Sequence, residues 1–245
     1  MAVPLPHIGI ITQARMTSTR LPGKILKEVN NKTLLQYHIE RLQKTGIDIA
    51  IATTINATDD CVCDYAIAHN LHYHRGSEDN VLSRFYETAV KYNYQVIVRV
   101  TSDCPLIDGE LIKDSIDYYL ELNDPNAYLS NCMERTFARG FDFEIFSFQL
   151  LKEAYDNATD VADLEHVTPY IWQNKNGNVQ QHNVRQFEDN SHLRITVDTD
   201  ADFELVRQLI QDYNAHQLSN IEIETILNEH PNLVALNAHI EQKKL

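Results

Sequence analysis

Two groups of residues in this chain could do chemistry with a charged small molecule. Near the start, Arg15, Arg20 and Lys24 fall within ten residues, and Lys27 follows. Far downstream, Asp103 and Asp198 each stand directly after a short apolar run. Between positions 13 and 28 four basic residues face one acid, Glu28, although the whole chain carries a net charge of -14. A local surplus of cations in an acidic protein suits a small anion, since a nucleic-acid binder is usually basic over a whole face. Arg grips phosphate through a planar fork and Lys as a point charge, so the three could surround a polyphosphate; a solvated surface loop is the plainer reading. Ala14 and Gly23 leave room for backbone to approach a ligand, and Ser18 lies between them. The stretch is not a Walker loop, because Lys24 is followed by Ile25, and the dinucleotide Gly-x-Gly-x-x-Gly pattern is absent.

Asp103 closes an apolar strand and is followed by Cys104-Pro105. A carboxylate there is partly desolvated and needs a cation: Mg²⁺ shared with substrate phosphates, or a salt bridge to Arg99 or Arg84. Asp198, Asp200 and Asp202 crowd into five residues and repel one another unless something positive lies among them. Asp198 is a candidate second Mg²⁺ ligand; Thr199 or Asp200 could cap the next helix, with Asp200 and Asp202 complementing its dipole. Thr54, after the second strand, could touch a base or ribose or belong to an ordinary capped turn. Arg75 lies just before a helix whose N-terminus could hold an anion, with Ser77 or Asp79 as its cap. Ser102 precedes Asp103. His72 and His74 share one strand face without an evident third ligand, and His166 reads as either core or site.

The elements that must position these residues alternate. Apolar runs at 8–12, 48–54, 71–74 and 95–101 predict strands; amphipathic spacing at 33–44, 59–69, 80–92 and 108–122 predicts helices, with Gly46 a stop and Asp108 a cap. Strands are expected at 128–131, 141–146, 178–187 and 193–197. Helices are expected at 148–157, 162–173 (broken or kinked at Pro169), 200–213 and 220–229. Such alternation predicts an α/β fold, mostly parallel, with helices on both faces and some antiparallel pairing after 128. No linker or repeat divides it, so residues 1–245 read as one domain. Ligands of such sheets lie beyond the carboxyl ends of the strands, where the candidates fall.

An apolar content of 43% supports a sizeable core, and no apolar run approaches the ~20 residues that cross a bilayer. The first seven residues lack the basic and apolar regions of a signal peptide. Four Cys without metal-type spacing suit free thiols, so a cytosolic protein is expected. The acidic balance speaks against nucleic acid and anionic membrane as partners.

Six stretches carry a resemblance: ITQARMTSTRLPGK (11–24), RGSEDNVL (75–82), VRVTSDCPLID (98–108), GFDFE (140–144), EHVTPY (165–170) and LRITVDT (193–199). In this order the chain resembles bacterial cytidylyltransferases of the spore-coat polysaccharide protein F type, relatives of the CMP-sialic acid and CMP-Kdo synthetases. The resemblance implies a three-layer α/β/α sandwich of the glycosyltransferase A type. It also implies a homodimer, with 128–187 as its contact and acceptor-binding part. It implies transfer of CMP from CTP to an acidic sugar, of the nonulosonic or deoxy-ulosonic acid type, with release of pyrophosphate. Carried over, Arg15, Arg20 and Lys24 match the CTP-phosphate loop, Asp103 and Asp198 the Mg²⁺ carboxylates, and Asp142, Glu144 and His166 fall in the sugar pocket. Ala14, Arg15, Ser18, Arg20, Lys24, Thr54, Arg75 and Ser102 are then the nucleotide-binding candidates, with Arg15, Lys24, Asp103 and Asp198 catalytic. Asp200 departs from the family's usual Pro. The rival readings are a CTP enzyme for a phosphorylated polyol or phosphonate, a glycosyltransferase of the same fold, and a non-catalytic nucleotide-binding partner.

Overall fold

The computed structural model describes residues 5–241; the outermost four residues at each end, part of the signal-peptide and 1–245 domain readings, lie outside them. Strand β1 (Ile8–Gln13) leads into the cationic loop, a hairpin of β2 (Glu28–Val29) and β3 (Lys32–Thr33), and helix α1 (Leu34–Leu42). Then come β4 (Asp48–Thr54), α2 (Asp60–Ala68), β5 (His72–Gly76), α3 (Val81–Tyr92), β6 (Val96–Thr101) and α4 (Gly109–Leu122). The second half holds β7 (Ala127–Ser130), β8 (Glu144–Ser147), α5 (Phe148–Asn157), α6 (Val161–His166), α7 (Pro169–Trp172) and β9 (Gln180–Asn183). Helices α8 (Asp200–Tyr213), α9 (Asn220–Glu229) and α10 (Pro231–Val234) close it.

Seven strands form one sheet in the order β5-β4-β1-β6-β8-β7-β9. β8 runs antiparallel to both its neighbours, and every other pairing is parallel. From β1 the chain steps outward to β4 and β5, then returns to lay β6 on β1's other side. That reversal opens a crevice at the carboxyl ends of β1 and β6, where Arg15 and Asp103 emerge. Alternation along β1 separates the layers. Ile10 packs with Leu35, Ile39, Val62 and Ile112 on the α1/α2/α4 side, and Ile11 packs with Leu82, Phe85, Leu150 and Leu151 on the α3/α5 side. A third apolar cluster joins α8 and α9 to the stretch around Leu193, Ile195 and Val197.

Capping explains several boundaries. Thr33 accepts the Gln36 amide, Asp108 the amides of Glu110 and Leu111, and Thr199 forms a capping box with Asp202. The cap of α3 is Asn80, not Ser77 or Asp79. Its side chain accepts from Ser83 N, while Ser77 Oγ accepts the Asn80 amide one turn earlier.

The expected strand at 193–197 does not form. A single bridge links Arg139 to Arg194, with Arg139 N donating to Leu193 O and Ile195 N donating to Arg139 O. Gly140, at φ +116°, then turns its strand away before a ladder can extend. The apolar alternation that suggested a strand packs instead against α8 and α9. The strand expected at 178–187 shortens to β9, and that at 141–146 begins only at Glu144.

The break expected at Pro169 is present, at the two residues just before it, between α6 and α7. Val167 has φ 71° and ψ -52°, and Thr168 N donates to His166 O at 2.8 Å, so the three residues form a tight γ-turn of the strained hand. For a β-branched residue this conformation costs about 1–3 kcal/mol. Thr168 adds to it: it precedes Pro169 yet lies at φ -104°, ψ -6°, where pre-proline sterics are unfavourable.

Candidate active site

The crevice is a cleft of about 1370 Å³, larger than the ~300–1,000 Å³ usual for a single small ligand. Seven cationic side chains line it (Arg15, Arg20, Lys24, Arg84, Arg99, Arg135 and Arg139) against five carboxylates, Asp103, Asp142, Glu144, Glu165 and Asp198. The surplus of positive charge read in one loop therefore extends over a whole concave surface.

At one end, Gly23 adopts the left-handed φ of 68° that only glycine takes without strain, and the chain turns there to point Lys24 inward. Lys24 is 8% exposed. Its Nζ donates to Asp103 Oδ2 at 2.9 Å and to Asp198 Oδ1 at 2.8 Å. Arg20 Nη2 reaches Asp198 Oδ2 at 2.9 Å, and Arg194 reaches the same oxygen at 2.7 Å while its Nε donates to Asp202. Burial would lower the Lys24 ammonium's pKa, but the two carboxylates outweigh it and raise it. Burial would likewise raise that of Asp103, yet Lys24 holds it down at about 2. The partner of Asp103 is thus Lys24, not Arg99 or Arg84. Asp202 is buried, holding Arg194 and Asn237 as well as capping α8, so it is more than a dipole complement.

Asp103 and Asp198 lie close enough to share one cation. Among the described residues no three His, Cys, Asp or Glu side chains gather as a metal site. A pair of carboxylates completed by substrate phosphates is the arrangement Mg²⁺ favours, so the residues present fit that ion.

Asp59 is a functional residue the sequence reading passed over as a helix start. It is fully buried, and its carboxylate accepts Met16 N at 2.7 Å, Thr54 N at 3.3 Å and the Thr54 hydroxyl. It ties the cationic loop to the end of β4. His38 does similar work from α1. Because a carbonyl only accepts, its Nδ1–H donates to Cys104 O and its Nε2 accepts from the Thr12 hydroxyl. Burial pushes its pKa down to about 4, so the ring stays neutral.

Ala14, Arg15, Ser18, Arg20, Lys24 and Ser102 all line the cleft. Arg15 approaches Glu78 at 3.5 Å, and Ser102 Oγ donates to Gln13 O. Thr54 and Arg75 are not brought to it. Thr54 is buried against Asp59, and Arg75 spends its guanidinium on the carbonyls of Thr54 and Asn56 and the carboxylate of Asp60. Both brace the turn after β4.

Asp142, Glu144 and His166 also line the cleft. Asp142 faces Arg135 through two parallel bonds. Both Glu144 oxygens are taken, one by Arg99 and the other by the hydroxyls of Tyr128 and Thr168. Arg84, Arg99, Arg135 and Arg139 were not singled out as site residues, since each lies alone in sequence. Arg84 is buried with no ion pair among the described residues, its Nη1 donating to Ser77 O and its Nε unsatisfied; burial and then Arg15 bring its pKa down to about 10 against the opposing pull of Asp59 and Glu78. Burial and then Arg135 lower that of Arg139, whose side chain has no hydrogen-bonding partner among the described residues.

Residues 8–230 match the cytidylyltransferase family. The chain belongs to that family. The spore coat polysaccharide biosynthesis protein SpsF of Bacillus subtilis is 32% identical over 91% of this chain and 95% of its own. A solved cytidylyltransferase from Leptospira borgpetersenii superposes with a TM-score of 0.89 at 31% identity, covering 98% of this chain and all of the other. A shorter likeness, 33% identity over 46% of this chain and 45% of the relative, is to a 3-deoxy-manno-octulosonate cytidylyltransferase of Solibacter usitatus. The enzyme is a CTP-dependent nucleotidyltransferase with the mostly parallel α/β fold expected from the sequence. Among the described residues of this cytidylyltransferase no helix is long and apolar enough to cross a membrane.

Proposed function

We propose that this cytidylyltransferase transfers CMP from CTP to an acidic sugar, of the nonulosonic or deoxy-ulosonic acid type, with release of pyrophosphate, for a surface polysaccharide or glycan. The observation that carries the reading is the junction where Lys24 meets Asp103 and Asp198 at the mouth of β1 and β6. Cations for a polyphosphate and carboxylates for a divalent ion converge there. Arg15, Arg20 and Lys24 would neutralise the leaving pyrophosphate, and Asp103 and Asp198 would hold Mg²⁺. When bound, that ion supplies charge neutralisation at the α-phosphate. The protein's own share is positioning: the loop pinned by Asp59 fixes the phosphates, and His38 keeps the Asp103 turn in register.

An acidic acceptor is supported by Arg139, which lines the cleft with no ion pair among the described residues, and by the partial likeness to an enzyme of 3-deoxy-manno-octulosonate. A homodimer through 128–187 belongs to the same reading; Tyr155 and Val161, both exposed, lie within that part. The four free cysteines fit a cytosolic site of action.

The test is pyrophosphate release from each of CTP, UTP, ATP and GTP with Mg²⁺, across a panel of 2-keto-3-deoxy sugar acids, phosphorylated polyols and phosphonates. Turnover confined to CTP and a sugar acid is expected. Turnover confined to a polyol phosphate or phosphonate overturns the acceptor class, and CTP binding without turnover on any acceptor favours a non-catalytic protein.

A further inference from the structure

The stretch EHVTPY (165–170) has no part in phosphate binding, yet it lies on the cleft. His166 ends α6 and lines the cleft beside Glu165, half-buried, and its ring makes no hydrogen bond among the described residues. It is held by the γ-turn at Val167, whose side chain is fully buried in the α3/α5 layer. On the other side of the turn, Thr168 Oγ1 donates to Glu144 Oε1 at 2.6 Å. A helix could stop here with glycine at no strain. A buried valine in a disfavoured conformation, followed by a disfavoured pre-proline residue, shows the surroundings over-determining this turn, as they do at functional sites.

We propose that His166 is the general base that takes the proton from the acceptor's attacking hydroxyl. The inference rests on the acceptor reading above. The acceptor's O–H bond breaks and its proton passes to the unprotonated ring nitrogen. The oxygen's electron pair forms the bond to the α-phosphorus, while the bond from that phosphorus to the bridging oxygen breaks and its electrons leave with pyrophosphate. Glu165 on its own helix and Arg99 of β6 act on the ring, and Arg84 of α3 and Glu144 of β8 line the same cleft. Burial lowers the ring's pKa below 6.5, Glu165 opposes this and Arg99 reinforces it, so the imidazole is neutral at pH 7. A neutral ring accepts a proton; it would contribute no charge to a phosphate.

The test compares wild type with His166→Gln, checked by far-UV circular dichroism for an unchanged fold, using CTP, Mg²⁺ and 3-deoxy-manno-octulosonate or N-acetylneuraminate as acceptor probes. Wild type should lose kcat/KM for the acceptor on an acid limb below pH 6.5. His166→Gln should lose that limb and about 100-fold or more in kcat, with KM for CTP unchanged. A variant that keeps the limb, or keeps kcat within about threefold (well short of one tenfold step in rate), overturns the inference alone. No turnover by wild type with either acid overturns the acceptor reading and this inference with it. Independently of turnover, the NMR titration of His166, assigned by its absence in the variant, should lie below 6.5; a ring protonated at pH 7 overturns the proposal.

Discussion

Replacing Lys24 by Met keeps most of the side chain's packing and removes the ammonium between Asp103 and Asp198. Asp198 retains Arg20 and Arg194, so the loss falls on Asp103, for which no second cation among the described residues is within salt-bridge range. In the folded protein Asp103 titrates at about 2 against an ordinary 3.8. At ~1.4 kcal/mol per unit that difference corresponds to about 2 kcal/mol. Fully buried pairs lose more, about 3–5 kcal/mol, when one partner goes. The Asp103 side chain is a quarter exposed, so the smaller figure is adopted. Because the folded pKa is depressed, this contribution is present above pH 3.8 and disappears as pH falls through 2. Urea denaturation should therefore place Lys24→Met about 2 kcal/mol below wild type at pH 7, by the same conversion. The gap should narrow progressively below pH 4, and Lys24→Met should cost clearly less in an Asp103→Asn background. A gap under about 0.5 kcal/mol at pH 7, within the scatter of ordinary surface substitutions, would refute the reasoning. So would a gap that stays constant down to pH 2.

Asp103→Asn should leave far-UV circular dichroism unchanged and lower pyrophosphate release from CTP by ~10³ or more; retention of more than about a tenth of the rate counts against a metal-holding role. Asp59→Ala leaves the buried amide of Thr54 and the partly buried amide of Met16 without their acceptor and should cost about 1–3 kcal/mol in thermal or urea denaturation, while raising KM for CTP as the loop loosens. His38 has a folded pKa near 4 against 6.5 unfolded, so its contribution is complete above pH 6.5 and declines as pH falls toward 4. That amounts to about 3 kcal/mol across the window, and His38→Gln should flatten the slope of stability against pH between 4 and 6.5.

What could be read from the chain alone was whatever depends on neighbours in sequence. The apolar runs of β1, β4 and β6 and the cap at Asp108 are local, so the layered fold and the strand ends carrying Arg15 and Asp103 were legible. The cationic loop was legible too, because its basic residues Arg15, Arg20, Lys24 and Lys27 lie close together in one stretch. The run at 193–197 misled because alternation reports only that one face is buried, not what buries it; α8 and α9 do so here, in place of a ladder. Thr54 and Arg75 misled because position after a strand does not say where a side chain points. The meeting of Lys24 with Asp103 and Asp198, separated by 79 and 174 positions, exists only because β6 returns to β1 and Val197 N donates to Asp103 O in the turn after β6. The same is true of Arg84, Arg99, Arg135 and Arg139, which the fold gathers from α3, β6 and the loop between β7 and β8. Sequence determined the kinds of charge this enzyme carries and the strand ends that present them. The tertiary structure decided which charges face one another across the cleft, since interactions that fall off within a few ångströms are set by distance in space and not by distance along the chain.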